Sequence, residues 1–155
     1  MNPAEAVVPL ALSLGRADDM RAELVVRIAV DDGDREPPQL GGTLVGPRRG
    51  RDMTLPTTVR LVAAAGDRAA VARAVFTEPA YWTPELPNLY RLEAEVRRGT
   101  RTVAAVDRLV GLRRLGVRGR SLWLDGRRWV PRGVTISPAG FSLEALREAA
   151  AAAVI

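Results

Sequence analysis

The chain has 155 residues with no cysteine and no histidine, and its 23 basic side chains against 18 acidic ones give a net charge of +5. Those absences exclude disulfides, thiolate and imidazole metal sites, and every catalytic triad that needs an imidazole. An apolar share of 47% beside 26% charged residues describes one folded domain, or one domain plus a fragment, and excludes a wholly disordered chain.

All 23 basic residues are arginine. With abundant alanine, glycine and valine, this is the residue usage of a GC-rich genome, so the positive charge reads as a solvated surface and no nucleic-acid partner is expected. Residues 1–14 carry no basic n-region and Pro9 interrupts their apolar run, so they do not read as a signal peptide. No stretch approaches the length of a membrane span, and no membrane partner is expected.

In chain order, apolar residues 6–14 predict a first strand and 15–19 its turn. Leu24, Val26, Ile28 and Val30 alternate with Val25, Arg27, Ala29 and Asp31, which predicts a strand over 20–31 closed by Asp31-Asp32-Gly33-Asp34. Residues 37–51 are rich in proline, glycine and arginine, so only 40–45 are assigned a short edge strand and the rest a loop. Residues 57–65 and 68–77 form a predicted hairpin across Gly66-Asp67. Pro79, Pro84 and Pro87 then fix a turning, extended corner. From Leu89 onward Tyr90, Leu92, Ala94 and Val96 oppose Arg91, Glu93, Glu95 and Arg97, the pattern of an antiparallel strand with one wet face. Arg98-Gly99 turns into a return strand over 100–113.

Seven strands at this spacing predict a mainly β fold, an immunoglobulin-like antiparallel β-sandwich over residues 1–113. Tyr90 stands where such sandwiches place a corner tyrosine tied to nearby backbone; a plain core aromatic is the other reading. Residues 114–155 form a second part. Gly116 and Gly119 flank a linker, and Leu122-Trp123-Leu124 and residues 127–130 make a hairpin about Asp125-Gly126. A strand runs to Ile136, and Ser142 caps a helix to about Ala153. Hairpin, strand and helix are how an α/β unit begins, so the chain is expected to stop where a second domain starts.

The stretch Trp82-Thr83-Pro84-Glu85-Leu86-Pro87-Asn88-Leu89-Tyr90-Arg91-Leu92 resembles the signature of the immunoglobulin-like domain in family 2 glycoside hydrolases. Gly111-Leu112-Arg113 is similar to that family's step at the end of the sandwich. Leu124-Asp125-Gly126-Arg127 and Arg132-Gly133-Val134 are similar to the hairpin and strand that lead into its catalytic barrel. The family continues that strand with asparagine and, two residues on, histidine, where this chain has Thr135 and Ser137.

The resemblance implies a retaining hydrolase whose parent carries a sugar-binding sandwich, this sandwich and a (β/α)₈ barrel, with two catalytic carboxylates about 5 Å apart. Both belong to later barrel strands, so no catalytic residue is assigned here. Glu144 and Glu148 fall on the predicted helix, and Glu85, Glu93 and Glu95 on the sandwich. The expected role is a non-catalytic module that braces the barrel, with no cofactor and no metal. The expected partners are the neighbouring sugar-binding and barrel domains, and carbohydrate. Trp123, Trp129 and Arg132 are the candidate glycan or interface contacts, against a plainer reading of the tryptophans as hairpin packing. A free-standing adhesion sandwich binding a protein or glycan is the alternative.

Overall fold

The computed structural model describes residues 9–30, 36–50, 52, 55–66, 69–131 and 142. Two compact units divide the chain, Met1–Arg114 and Leu115–Ile155. Among the described residues the secondary structure is ten strands and no helix. The first unit holds β1 (Leu10–Ala17), β2 (Arg21–Ala29), β3 (Gln39–Arg48), β4 (Thr57–Ala64), β5 (Ala69–Thr77), β6 (Leu89–Arg98) and β7 (Arg101–Val110). The second holds β8 (Leu115–Arg118), β9 (Ser121–Leu124) and β10 (Arg127–Trp129).

The seven strands form one antiparallel sheet in the order β1-β2-β5-β4-β3-β6-β7. Its two ends share a single core: Leu24, Val26 and Ile28 of β2 and Phe76 of β5 lie in the same buried cluster as Leu40 and Leu44 of β3 and Tyr90, Leu92 and Val96 of β6. A sheet whose inward faces meet in one cluster is curled upon itself, which gives the mainly β, sandwich-like fold. The alternation read from the sequence is the cause, since inward residues of β2 and β6 are buried and outward ones are not. The outer edges of β1 and β7 have no strand partner among the described residues, and a cavity of about 460 Å³ lined by Leu10, Leu12, Leu14, Leu109 and Val110 lies beside both.

Two expectations are corrected. Residues 40–45 are not a short edge strand: β3 is ten residues long and central, paired with β4 on one side and β6 on the other. Glycine disguised it. Gly42 has φ 148°, and a Cβ there would stand 2.7 Å from the Ala94 Cα and press on the Glu93 carbonyl oxygen, so the close approach of β6 requires a residue without a side chain. The segment around Gly116 is likewise not a linker, because β8 pairs with β9 throughout and places Gly116 opposite Trp123.

The hairpin at Asp125-Gly126 forms as its turn chemistry predicts, with φ of 50° and 76° at the two central residues. The predicted strand beyond Pro131, Arg132-Gly133-Val134 and the helix with Glu144 and Glu148 lie outside the described residues.

Candidate functional site

The densest set of specific interactions in the first unit surrounds the proline corner before β6. Thr83 closes it: its backbone N–H donates to the Leu86 carbonyl at 3.0 Å, and its hydroxyl oxygen accepts from the Leu86 N–H at 3.0 Å. Trp82 and Pro87 bridge the base of this turn. Asn88 is buried, and its side-chain amide donates to the Tyr81 carbonyl at 2.9 Å. The Tyr90 hydroxyl accepts the Ala80 N–H at 3.0 Å, and its ring meets Phe76 edge-on at 5.0 Å. Tyr90 is therefore a core aromatic whose hydroxyl is also tied to backbone ten residues upstream. Burial pushes its pKa above the usual value, partly offset by the bond from Ala80.

The segment after β7 is fastened to this corner. The Trp82 N–H donates to the Leu112 carbonyl at 2.8 Å, and Leu112 is buried. Gly111 lies flat against Trp82, where a Cβ would come within 2.9 Å of the Trp82 Cβ. The Arg113 guanidinium stacks 4.3 Å over the Trp82 ring and that of Arg114 4.2 Å over Tyr81. Arg114 also reaches Asp19 at 2.7 Å, and the Tyr81 hydroxyl donates to the Asp18 carbonyl at 2.7 Å. Two consecutive arginines thus lie on two consecutive aromatic rings. The sequence reading placed Trp82 and Arg113 in separate motifs without pairing them and did not single out Tyr81 or Arg114, because the aromatic partners stand some 30 residues upstream.

The carboxylates on the outer face of β6 and β7 are held by arginine. Arg91 grips Asp107 with two bonds, Nε to Oδ1 at 2.9 Å and Nη2 to Oδ2 at 2.6 Å, and reaches Glu93 at 3.0 Å. Arg97 holds Glu95 at 2.8 Å. The hydrogen bond from Arg91 keeps the Asp107 pKa below the usual carboxylate value, the opposite of what a general acid needs. No metal-ligating group of three or more His, Cys, Asp or Glu occurs among the described residues. No helix among them is long and apolar enough to cross a membrane.

In the second unit, Trp123 faces Arg128 across the β9–β10 pair and Trp129 faces Leu122. Leu122 and Trp123 are neighbours in one strand, so the two tryptophans point to opposite faces of the hairpin and do not form one stacking platform. Trp123 carries the Arg118 guanidinium 4.6 Å over its ring. Trp129 shares its face with Leu115, Val117, Leu122 and Leu124, by the same register. Arg132 lies outside the described residues.

The family model of glycosyl hydrolases family 2 matches residues 4–113. The chain belongs to this family. Among solved structures, a calcium-binding mutant of Bacteroides uniformis β-glucuronidase 2 is similar with a TM-score of 0.51 and 26% identity, over 81% of this chain and 16% of that one. A β-glycosidase from Bacteroides vulgatus is similar at a TM-score of 0.50 and 16% identity, over 77% of this chain and 15% of that one, a likeness of fold alone. This family 2 chain therefore spans about a sixth of the β-glucuronidase it matches. No curated protein sequence matches it. The matched region contains the corner and the Gly111-Leu112-Arg113 step together, and the structure joins them physically through Trp82.

Proposed function

We propose that the chain acts as a non-catalytic, immunoglobulin-like module of a family 2 glycoside hydrolase-like protein, bracing a catalytic barrel that hydrolyses O-glycosidic bonds in the complete parent. The observation that carries this reading is the double stack of Arg113 on Trp82 and Arg114 on Tyr81, with the Arg114–Asp19 pair. It fixes the course of the chain as it leaves the sandwich, which is what a rigid spacer between domains requires.

The strand order supports the immunoglobulin-like part. Strands β1-β2-β5-β4 and β3-β6-β7 follow the arrangement of the two sheets in constant-type sandwiches, and Tyr90 with its bond to Ala80 fits a tyrosine corner. The arginine-paired carboxylates on β6 and β7 support a scaffold role over a catalytic one. The β8 edge of the three-stranded sheet's apolar face, where Leu115 is 55% and Val117 69% exposed while Leu124 is buried, supports docking to a further domain.

The purified chain is expected to show no turnover of aryl β-glycosides. Turnover that survived Glu144→Gln with Glu148→Gln would sink the reading. Glycan-array binding lost in Trp123→Ala or Trp129→Ala would instead favour a free-standing interaction module.

A further inference from the structure

Consecutive side chains in a regular strand point to opposite faces. β3 ends at Arg48 and Arg49 enters the turn to Asp52, so alternation no longer separates them, and both line one cavity of about 180 Å³ together with Pro47, Asp52 and Asn88. The register of β3 against β6 shifts between Val45 and Arg48, and such irregularities re-aim the side chains that follow them. Gly46 makes the shift possible by lying against β6, where a Cβ would stand 2.8 Å from both the Leu89 carbonyl oxygen and the Tyr90 ring. Beyond it Arg49 and Asp52 exchange two backbone hydrogen bonds of 2.8 and 3.0 Å, with Gly50 at φ 59° letting the chain reverse.

The two arginines of this cavity, like Arg21, Arg27, Arg60 and Arg108, hold no carboxylate among the described residues, whereas other arginines of the unit do. Arg73, Arg91, Arg97 and Arg114 each hold a carboxylate at 2.6 to 2.8 Å. Arg48 instead donates to the Gly50 carbonyl at 3.3 Å, and Arg49 to the Asn88 amide oxygen at 3.4 Å, both long bonds to neutral acceptors. Among the described residues neither guanidinium forms an ion pair. Asn88 is only 8% exposed, and its amide nitrogen is committed to Tyr81, so its oxygen stays turned toward Arg49. Asp52 is the one acid on the described wall, against two arginines.

We propose that the cavity at the β3 irregularity is an oxyanion-binding site in which Arg48 and Arg49 receive a carboxylate or sulfate group. Guanidinium forks suit both shapes, planar and tetrahedral, and charge-assisted bonds to the anion replace the two weak bonds to neutral oxygens. The Asn88 oxygen holds Arg49 ready, and the Asp52 carboxylate weakens binding by its like charge.

The test uses the full chain and follows the arginine Nε–H and Asn88 side-chain amide resonances while sodium acetate, then sodium sulfate, replaces chloride at constant ionic strength. Saturable shifts at Arg48, Arg49 and Asn88 are expected, and Arg48→Gln with Arg49→Gln should weaken binding at least about tenfold. Asp52→Asn, at an exposed position, should tighten it by a few-fold. Tighter binding of acetate assigns the site to carboxylates and tighter binding of sulfate to sulfate esters or the free ion. Shifts that rise without saturating, that survive the double arginine replacement, or that weaken in Asp52→Asn overturn the proposal.

Discussion

The seven-stranded and three-stranded sheets use the same local devices, alternating strands closed at tight glycine turns, yet they differ in what covers them. In β6 the inward residues Tyr90, Leu92, Ala94 and Val96 are all 3% exposed or less, because the curled sheet lays β2 and β5 over them. In β8 every residue is exposed, although Leu124 of the adjoining β9 is buried. Alternation by itself therefore places side chains on a face but does not bury them; burial requires a second layer. The first unit supplies its own layer.

The largest test of that contrast pairs two leucines. Leu92→Ala empties a fully buried position and should cost about 2–5 kcal/mol by urea denaturation, whereas Leu115→Ala should stay within about 0.5 kcal/mol in the isolated chain. A parent protein in which Leu115→Ala proved as costly as Leu92→Ala would show that the second sheet is covered there. Next, Gly111→Val drives a side chain into Trp82 and should destabilise the first unit by about 1–3 kcal/mol, with a change in tryptophan emission.

Tyr90→Phe leaves the Ala80 N–H without its acceptor, at a cost of about 1–2 kcal/mol. It also removes a pH dependence. Since the folded pKa of Tyr90 is raised above 10.0, its contribution is fully present below pH 10.0 and is lost as pH rises through the folded value. Melting temperatures of wild type and Tyr90→Phe should accordingly converge in strong alkali.

Arg113→Gln removes one stack from the Trp82 ring, worth about 0.5–1 kcal/mol, and should speed amide exchange over residues 111–114 more than elsewhere. The smallest effect belongs to Arg91→Gln: a solvated pair on an outer face should leave the melting temperature unchanged.

The strands legible in the sequence were those whose two-fold alternation survives in the side chains. β2 and β6 were readable because one face is apolar and the other carries the charges, β5 because small and aromatic residues alternate with valine and Arg73, and the corner because proline and tyrosine spacing is rigid. β3 was obscured by the residues that its packing demands, Gly42 and Gly46, which lower strand propensity just where β6 comes nearest. β8 was obscured by Gly116, whose bareness faces Trp123. The candidate site was half visible. Trp82 and Arg113 each lay in a recognisable motif, while Asp19, Tyr81 and Arg114 join them only through the fold. The Arg48–Arg49 cavity was invisible, because adjacent arginines in a glycine-rich stretch look like a solvated loop until the end of β3 and the turn to Asp52 set both on one cavity wall.

The bare edges of β1 and β7 carry a consequence for how the protein behaves at high concentration. Among the described residues, these two strand edges lack a strand partner and lie beside a leucine-lined cavity, the arrangement that can template sheet extension between molecules. β1 carries a local interruption, and both edges carry an exposed arginine. β1 loses register between Leu14 and Ala17, where Arg16 stands in solvent, and β7 places exposed Arg108 next to half-exposed Leu109. Charges at strand edges oppose edge-to-edge association, so neutralising Arg16 and Arg108 together should leave the melting temperature intact and lower the concentration at which the protein remains monodisperse.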